Sequence, residues 1–304
     1  MSSLADGGTR REARNPVSSR MQRGISRTRL RLALRALVGA WKNWREPTLS
    51  RKTRHQLAVC AIFREEAPFL DEWITFHAGI GATHFYLYNN FSTDEFRRVL
   101  RPWQESGFVT LTEWPVPAGQ VRAYADCVKR FQNEARWIAF LDIDEFLFSP
   151  RTLDIRAVLS PFADQPGLEV WQYRFGASGH VKRPQAPVVD SYTMRAPASL
   201  KTVKTIANPR MVYKAGVHQF KYWTGRALDS SRQIVAKTTA PVFDQLRINH
   251  YWSRSLEDLE TKIRRGDASI ATERDPQWHL AFERGLNDEK DLTIQPIARA
   301  IRKN

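Results

Sequence analysis

The most informative segment of the chain is Trp137-Ile138-Ala139-Phe140-Leu141-Asp142-Ile143-Asp144-Glu145-Phe146. Its first half is an apolar run typical of a buried strand, and its second half places two carboxylates two residues apart, on one face of an extended chain. An α/β sheet delivers acids in this way to the crevice at the carboxyl ends of its strands, where ligands bind. Because carboxylate oxygens suit Mg²⁺ or Mn²⁺, Asp142 and Asp144 are candidate metal ligands. The alternative is an acidic strand end that only caps the next helix.

Strand and helix patterns alternate upstream of these acids. Strands are predicted at 57–63, 83–88 and 108–113, and helices at 68–80 and 120–134. Alternation at this pitch predicts βαβ units, and therefore a parallel sheet covered on both faces. Downstream, a strand at 247–252 precedes a helix at 255–265, which has Ser255 as its N-cap and Asp258 as an approximate capping-box partner.

A set of ordered motifs resembles that of glycosyltransferase family 92 and its bacterial family 2 relatives. The motifs are Arg64-Glu65-Glu66-Ala67-Pro68-Phe69-Leu70-Asp71-Glu72-Trp73, Tyr88-Asn89-Asn90-Phe91-Ser92-Thr93-Asp94, Tyr124-Ala125-Asp126-Cys127, Asp142-Ile143-Asp144-Glu145-Phe146, Phe175-Gly176-Ala177-Ser178-Gly179-His180, Gly216-Val217-His218, Asn249-His250-Tyr251 and Lys262-Ile263-Arg264-Arg265-Gly266. Their order and spacing together are more specific than any single motif. The resemblance implies the α/β fold called GT-A, a Rossmann-like nucleotide-sugar-binding domain with a mixed, mostly parallel sheet.

The same resemblance implies a metal-dependent transfer of a hexose from a nucleotide sugar to a saccharide or glycolipid acceptor. A uridine diphosphate sugar is the expected donor, and Mn²⁺ or Mg²⁺ is the expected cofactor. In this scheme Asp144 holds the metal, Asp142 contacts metal or ribose, and Glu145 fixes the loop or the donor sugar. GT-A enzymes often complete the metal site with a late histidine, which suggests His250 as a ligand, although a lone histidine is more often structural.

The donor-binding residues implied by the resemblance are Glu66, Asn90, Asp94, Lys262 and Arg265. The two basic residues, with their neighbour Arg264, suit a pyrophosphate, and a solvated basic helix face is the alternative. The chain departs from the family pattern at two positions. It has Glu65 where Asn is usual, and Asn90 where family 2 enzymes often have an acid that contacts uracil. An amide can still pair with a uracil edge, but Asn89-Asn90 can equally be turn residues.

The general base is left open by the sequence. If the reaction inverts, as the resemblance implies, a carboxylate or a histidine must accept the proton of the acceptor hydroxyl. The candidates are Asp190, His180 and His218. We take Asp190 as the working choice, and nothing in the sequence ranks the three.

The composition favours one catalytic domain with tails. A chain of 304 residues with 42% hydrophobic content can bury one large core. We predict a basic tail at 1–54, a GT-A domain at 55–270 and a C-terminal helical extension at 271–304. Cys60 and Cys127 lie in a strand and a helix pattern, which argues against a disulfide scaffold. The expected location is cytoplasmic, with a peripheral position on the inner face of the membrane as an option.

The positive charge is concentrated at the amino end of the chain. Residues 1–54 hold fourteen Lys or Arg against three acids, a net charge of +11, whereas residues 55–304 have a net charge of +4. Up to residue 25 the composition predicts disorder. One face of a predicted helix then carries Leu30, Ala33, Leu34, Leu37, Val38, Trp41 and Trp44. Residues 28–45 therefore fit an anionic membrane surface, and packing of this helix on the catalytic domain is the alternative.

Two other function classes compete with a glycosyltransferase. A haloacid-dehalogenase-like phosphohydrolase also carries D-x-D after a strand, but it requires Thr or Val soon after the second acid, where this chain has Glu145-Phe146. A non-catalytic membrane- or nucleic-acid-binding protein is suggested by an isoelectric point near 10.1. Because most of the net charge lies in the first 54 residues, it does not predict a nucleic-acid-binding core.

Overall fold

The computed structural model describes residues 27–50, 53–198, 200–266 and 275–303. Its strands are β1 His55–Phe63, β2 His84–Asn89, β3 Val109–Glu113, β4 Ala135–Phe140, β5 Glu145–Phe148, β6 Gly167–Phe175, β7 Met194–Arg195, β8 Val203–Ala207, β9 Val212–Lys214, β10 Lys221–Tyr222, β11 Arg247–Tyr251 and β12 Glu289–Lys290. Its helices are α1 Arg27–Ser50, α2 Ala67–Gly79, α3 Phe96–Glu105, α4 Gln120–Phe131, α5 Arg156–Leu159, α6 Val188–Ser191, α7 Leu256–Arg265, α8 Pro276–Arg284 and α9 Gln295–Lys303, with 3-10 turns at Ser160–Phe162 and Pro209–Met211.

The first half of the sheet is parallel, in the order β3-β2-β1-β4. Leu57, Val59 and Ala61 of β1 belong to a core cluster that includes residues of α2 and α3. The alternate residues Ala58 and Cys60 belong to a second cluster that includes residues of α4. Because successive strand side chains point to opposite faces, the continuous apolar run of β1 is buried on both sides, as in other parallel sheets.

The second half of the sheet is largely antiparallel and brings the late part of the chain to the end of β4. Strand β8 runs antiparallel to both β4 and β6, giving the order β12-β7-β6-β8-β4-β1-β2-β3. Strand β11 pairs parallel with β6 and antiparallel with β5, the short strand that begins at Glu145. In that antiparallel ladder His250 lies opposite Glu145. The mixed α/β fold predicted from the sequence is confirmed.

The predicted strands and helices of the catalytic domain are present, with ends within three residues of those expected. The capping box of α7 is complete: the backbone nitrogen of Asp258 donates to Ser255 Oγ at 3.1 Å, and the backbone nitrogen of Ser255 donates to Asp258 Oδ2 at 3.3 Å. An aspartate therefore closes a box that Glu or Gln usually closes.

The C-terminal segment, predicted as a helical extension, packs into the same core. It contributes α8, α9 and the strand β12, which pairs antiparallel with β7. Ile294 and Ala298 are buried in the larger core cluster. Asp291 accepts a hydrogen bond of 2.6 Å from Arg247 of β11, so a buried ion pair also joins this segment to the sheet.

The predicted helix of the amino-terminal tail is present as α1, and the segment 1–25 predicted to be disordered lies outside the described residues. Cys60 and Cys127 are both buried and free, so they form no disulfide. Among the described residues, none of the helices combines the length and apolar character needed to cross a bilayer.

Candidate active site

The acids that follow β4 lie in a chain of ionisable side chains that contact one another. In order of contact, the members are Asp142, Lys204, Glu145, His250, Asp144 and Lys262. The β5–β11 ladder supplies His250, β8 supplies Lys204, and α7 supplies Lys262. The carboxyl end of β4 is therefore a site assembled from four separate parts of the chain, as expected at the edge of an open α/β sheet.

Asp142 is held by three side chains and is only partly buried. Gln120 Nε2 and the Tyr124 hydroxyl, both on α4, donate to its Oδ1 at 2.7 and 3.3 Å. Lys204 Nζ donates to its Oδ2 at 2.7 Å. Lys204 is itself almost fully buried, and burial alone would lower its pKa, but Asp142 and Glu145 raise that pKa well above the ordinary value. Lys204 is therefore charged and neutralises the acids around it.

Asp144 faces His250 and Lys262. Lys262 Nζ lies 2.6 Å from Asp144 Oδ2, and His250 Nε2 lies 3.4 Å from the same oxygen. Burial would raise the pKa of Asp144, but the Lys262 ammonium holds that pKa well below its ordinary value. The carboxyl is therefore ionised at neutral pH.

The second nitrogen of His250 fixes the orientation of its ring. His250 Nδ1 lies 2.7 Å from Gln172 Oε1, and when Nδ1 carries the hydrogen, Nε2 turns its lone pair toward Asp144. Burial lowers the pKa of His250 to about 4, so the ring is neutral, which is the form that ligates metals.

Glu145 lies beneath the site and is fully buried. Its Oε2 accepts a hydrogen bond of 3.0 Å from the backbone nitrogen of Asp142 and lies 3.4 Å from Lys204 Nζ. Burial is the largest cause of a pKa raised to about 8, the Lys204 ammonium opposes it, and the nearby carboxylates add to it. Its backbone oxygen accepts from the Trp73 indole at 2.9 Å. Of the two roles expected for Glu145, these contacts support fixing the loop.

A small cleft opens beside Asp144, and four basic and three acidic side chains line it. The basic residues that line it are Arg183, Arg254, Lys262 and Arg265. Arg254 adopts φ = 54°, in the left-handed region where a non-glycine residue is strained, and strain of this kind clusters at functional sites. Its Nε and Nη2 atoms are buried and have no hydrogen-bond partner among the described residues. Unsatisfied buried guanidinium nitrogens at a cleft indicate an anionic ligand.

Glu66 positions two of these arginines. Its Oε2 lies 2.6 Å from Arg254 Nη1, and its Oε1 forms an ion pair with Arg265. Arg254 also stacks over the Phe69 ring, with 3.5 Å between the guanidinium carbon and the ring centroid. The sequence-predicted residues Glu66, Lys262 and Arg265 are therefore brought together at the cleft. Arg264 does not line the cleft, and its Nη2 donates to Thr261 Oγ1 of the same helix at 3.4 Å.

Asn90 and Asp94 lie near the carboxyl end of β2 and serve the fold. Asn90 Nδ2 donates to the backbone oxygens of Trp114 and Val116 at 2.8 and 3.0 Å, which holds the segment after β3. Asp94 Oδ2 accepts from the backbone nitrogen of Ala67 at 2.8 Å, at the first turn of α2. These contacts support the turn interpretation of Asn90, and they give Asp94 a capping role that the sequence did not predict.

The three candidate bases lie in different places. Asp190, on α6, is paired with Arg302 of α9 at 3.0 Å and does not line the cleft, so the structure does not bring our working choice to the site. His180 Nε2 lies 3.2 Å from the Ser191 backbone oxygen. His218 lies in the β9–β10 connection, and burial followed by the Lys204 charge lowers its pKa while Asp142 opposes that change. His218 does not line the cleft either, but it is the candidate whose pKa is shifted by Lys204 and Asp142.

Sequence reasoning missed Lys204, Arg254 and Arg183. A signal existed for Lys204, because Val203-Lys204-Thr205-Ile206-Ala207 places a lysine inside an apolar strand, where a charge needs a partner. Arg254 and Arg183 carried no local signal, because both lie in irregular segments between elements.

The family follows from comparison with known proteins. The sequence profile of glycosyltransferase family 92 matches residues 55–296. The chain belongs to glycosyltransferase family 92. This membership removes the phosphohydrolase alternative and agrees with the resemblance seen in the motifs.

Curated relatives of this family 92 chain include plant proteins. A family 92 protein of Ricinus communis is 27% identical over 269 residues, covering 79% of this chain and 46% of the relative. One of Oryza sativa subsp. japonica is 34% identical over 163 residues, covering 52% and 28%. Galactan beta-1,4-galactosyltransferase GALS2 of Arabidopsis thaliana is 24% identical over 283 residues, covering 84% and 50%. The chain thus spans half or less of the length of these relatives.

Among solved structures, S. aureus TarS in complex with UDP is similar over 51% of this chain and 47% of that chain, with 12% identity and a TM-score of 0.36. A mycobacterial protein is similar over 85% of this chain and 80% of that chain, with 12% identity and a TM-score of 0.37. Similarities this weak carry no argument about ligands.

Proposed function

We propose that this family 92 protein transfers a hexose from a nucleotide sugar, with a uridine diphosphate sugar as donor, to a hydroxyl of a saccharide or glycolipid acceptor. The observation that carries the proposal is a cluster of basic side chains in the cleft beside an ionised Asp144. Four cationic side chains converge on it, and one of them, Arg254, keeps two buried nitrogens unpaired among the described residues. Such a wall suits the diphosphate of the donor, which becomes the leaving group.

A divalent cation, Mn²⁺ or Mg²⁺, fits the site with two protein ligands. The described residues contain no group of three or more His, Cys, Asp or Glu side chains suited to a metal. Asp144 Oδ2 and His250 Nε2 face one another, and Mg²⁺-type ions are commonly bound by one or two carboxylates with substrate phosphates completing the shell. When bound, the ion would neutralise charge on the departing diphosphate. Lys262 must then move from Asp144 toward the phosphates.

Asp142 has a different proposed role from Asp144. Both of its oxygens accept hydrogen bonds, from Gln120 and Tyr124 on one side and from Lys204 on the other. Because neither oxygen is free to bind a metal directly, we assign Asp142 the other of its two expected roles, contact with the donor ribose. The contacts of Glu145 and Lys204 hold the loop that presents both aspartates.

For the general base we propose His218 in place of Asp190. A neutral imidazole can accept the proton of the acceptor hydroxyl, and burial together with Lys204 keeps His218 neutral at pH 7. Inversion at the anomeric carbon is part of this proposal, since a direct displacement by the acceptor requires such a base.

The experiment that tests the function measures donor binding and turnover together. Purified protein is melted with UDP, other nucleoside diphosphates and a panel of nucleotide sugars, each with and without Mn²⁺, and donor hydrolysis is followed in parallel. We expect a uridine nucleotide to raise the melting temperature and its sugar to be hydrolysed slowly.

Two matched variants test whether the nucleotide binds at the cleft. Arg265→Met should reduce the nucleotide-induced rise in melting temperature, while Arg264→Met, a neighbour outside the cleft, should retain it. No stabilisation by any nucleotide, or equal loss in both variants, would contradict the proposed donor site.

A further inference from the structure

Helix α1 is fastened to the catalytic domain by its basic face. Arg35 Nη2 donates to the backbone oxygen of Tyr222 at 2.7 Å, and the Arg35 guanidinium lies 3.9 Å above the ring of Tyr213. Two turns farther on, Lys42 Nζ donates to the backbone oxygen of Arg210 at 2.7 Å. These partners belong to strands β9 and β10 and to the 3-10 turn before β9. The helix is therefore docked by charged side chains that bond to backbone oxygens.

Gly39 lets the helix backbone approach closely at the centre of this contact. It is buried, and a Cβ atom built there would fall 2.1 Å from the Thr224 methyl and 3.1 Å from the Trp223 backbone oxygen. Arg35, Gly39 and Lys42 follow the spacing of one helix face. The hydrogen bonds of Arg35 and Lys42 and the close approach at Gly39 therefore identify the same face of α1 as the one that packs on the catalytic domain.

The apolar face of α1 is consequently turned outward. The exposed side chains are Leu30 (61%), Leu34 (61%), Leu37 (69%), Trp41 (53%) and Trp44 (79%). At the angular step of an α-helix, the centre of this stripe lies about 150° from the centre of the docked face. The structure therefore has α1 packed on the catalytic domain, which is the alternative expected from the sequence, but the contact is made by the basic face and leaves the apolar face exposed. A contiguous apolar stripe of this size marks an interaction surface.

The charges around the stripe identify its partner. Arg31 and Arg45 flank it and are exposed, and the Arg45 guanidinium lies 5.0 Å from the centre of the Trp41 ring. The strands beneath α1 add Lys214 and Lys221, which are exposed and paired across the ladder. Residues 1–54 as a whole carry a net charge of +11. An anionic lipid interface accommodates all three residue types, because its acyl region takes up leucine, its headgroup region takes up tryptophan, and its negative charge attracts arginine.

We propose that the stripe Leu30, Leu34, Leu37, Trp41 and Trp44 inserts into the headgroup region of an anionic bilayer, with α1 lying parallel to the surface and the catalytic domain fastened to it through Arg35, Gly39 and Lys42. A second copy of the chain is a poorer partner. Two such stripes in contact would bring their flanking arginines and two basic tails together, and like charges repel.

The test measures sedimentation of the full chain with vesicles. One set contains phosphatidylcholine alone, and the other contains about one third phosphatidylglycerol, which supplies the surface charge. We expect the protein to pellet with anionic vesicles at low salt, less at high salt, and little with neutral vesicles. Leu34→Ser, Leu37→Ser and Trp41→Ser combined should lower the partition coefficient by at least about tenfold.

Two further variants separate the apolar and charged contributions. Val181→Ser with Ile234→Ser replaces exposed apolar side chains elsewhere, at 61% and 49% exposure, and should bind like the wild type. Arg31→Glu with Arg45→Glu should lose anionic selectivity while the apolar stripe is intact. Circular dichroism and melting temperature check that every variant is folded.

Three outcomes would overturn the proposal. The wild type could stay in the supernatant with anionic vesicles at low salt. The triple serine variant could pellet as well as the wild type. Sedimentation velocity without lipid could show a dimer that the triple serine variant abolishes, and the stripe would then be the contact between two copies of the chain.

Discussion

Lys262 Nζ donates to Asp144 Oδ2 at 2.6 Å and to the backbone oxygen of Trp252 at 2.7 Å, so a lysine of α7 lies against the acid proposed to hold the metal. The two residues are 118 positions apart in the chain. Lys262 also lines the cleft. In the proposed function it would release the Asp144 carboxylate and pair with the phosphates of the donor when the donor binds. This pair links the proposed metal site and the proposed diphosphate site in one contact.

Replacing Asp144 by Asn tests the charge at this contact. The amide keeps the size of the side chain but removes the ligand charge, so we expect activity to fall by roughly a hundredfold or more while the fold survives. Lys262 keeps the backbone oxygen of Trp252 as a partner. Turnover and melting temperature are measured on the same preparation. Near-normal turnover in a folded protein would remove Asp144 from the metal site.

Replacing His250 by Ala tests the second proposed ligand. One ligand fewer weakens the site without changing its charge, so the Mn²⁺ concentration needed for half-maximal activity should rise by about tenfold or more. The same shift should appear when Mn²⁺ alone is titrated against melting temperature. His180→Ala is the control, since His180 bonds to Ser191. An unchanged titration would assign His250 a structural role.

The proposed base is tested by a pair of variants. His218→Gln should lower turnover by about a hundredfold or more, the usual contribution of a general base, and leave donor binding unchanged. Asp190→Asn should change turnover little, because Asp190 is paired with Arg302 outside the cleft. Because the pKa of His218 is lowered, wild-type turnover should decline only below the ordinary histidine value of 6.5. The reverse result in the two variants would restore Asp190 as base.

The docking of α1 is tested at Gly39. A valine there cannot fit against Thr224, so Gly39→Val should free α1, and trypsin should cut within the helix at least about tenfold faster, in proportion to the open population. Ala40→Val introduces the same residue at the next, exposed position and should leave cleavage unchanged. Equal cleavage of both variants would show that the contact does not hold the helix.

Glu169 provides a prediction about pH and stability. Burial, with a smaller contribution from Asp229, raises the pKa of this β6 residue from 4.5 to about 7 although Gln219 donates to it. Between those values the folded state holds more protons than the unfolded state, so the free energy of unfolding falls as pH rises. Glu169→Gln removes this penalty and should stabilise the protein at pH 8 by up to about 3 kcal/mol.

The control for the Glu169→Gln prediction is the same stability comparison made at low pH. Near pH 4.5 the wild-type carboxyl is protonated in the folded state and partly so in the unfolded state, so the difference between the two proteins should shrink. Chemical denaturation at both pH values measures it. A Glu169→Gln variant that is less stable than the wild type at pH 8 would contradict the prediction.

Local pattern was enough to predict the elements of the catalytic domain and the position of its acids. The apolar run of β4 and the alternating elements before it are patterns between residues close together in the sequence. The strand ends and the position of Asp142 and Asp144 could therefore be predicted from the sequence. The motifs also predicted Lys262 and Arg265 at the site, because the order of elements in an α/β fold limits where a late helix can lie.

Periodicity and ordered motifs were therefore sufficient to predict the fold class, the family and the edge of the sheet that carries the candidate site. Only the tertiary structure decided which charges meet. Lys204 pairs with Asp142, Arg254 reaches the cleft, Asp190 turns to Arg302, and α1 docks by its basic face. An ion pair or a helix contact of this kind depends on the distance between segments far apart in the chain and on how deeply they are buried. The spacing of residues along the sequence does not contain that information.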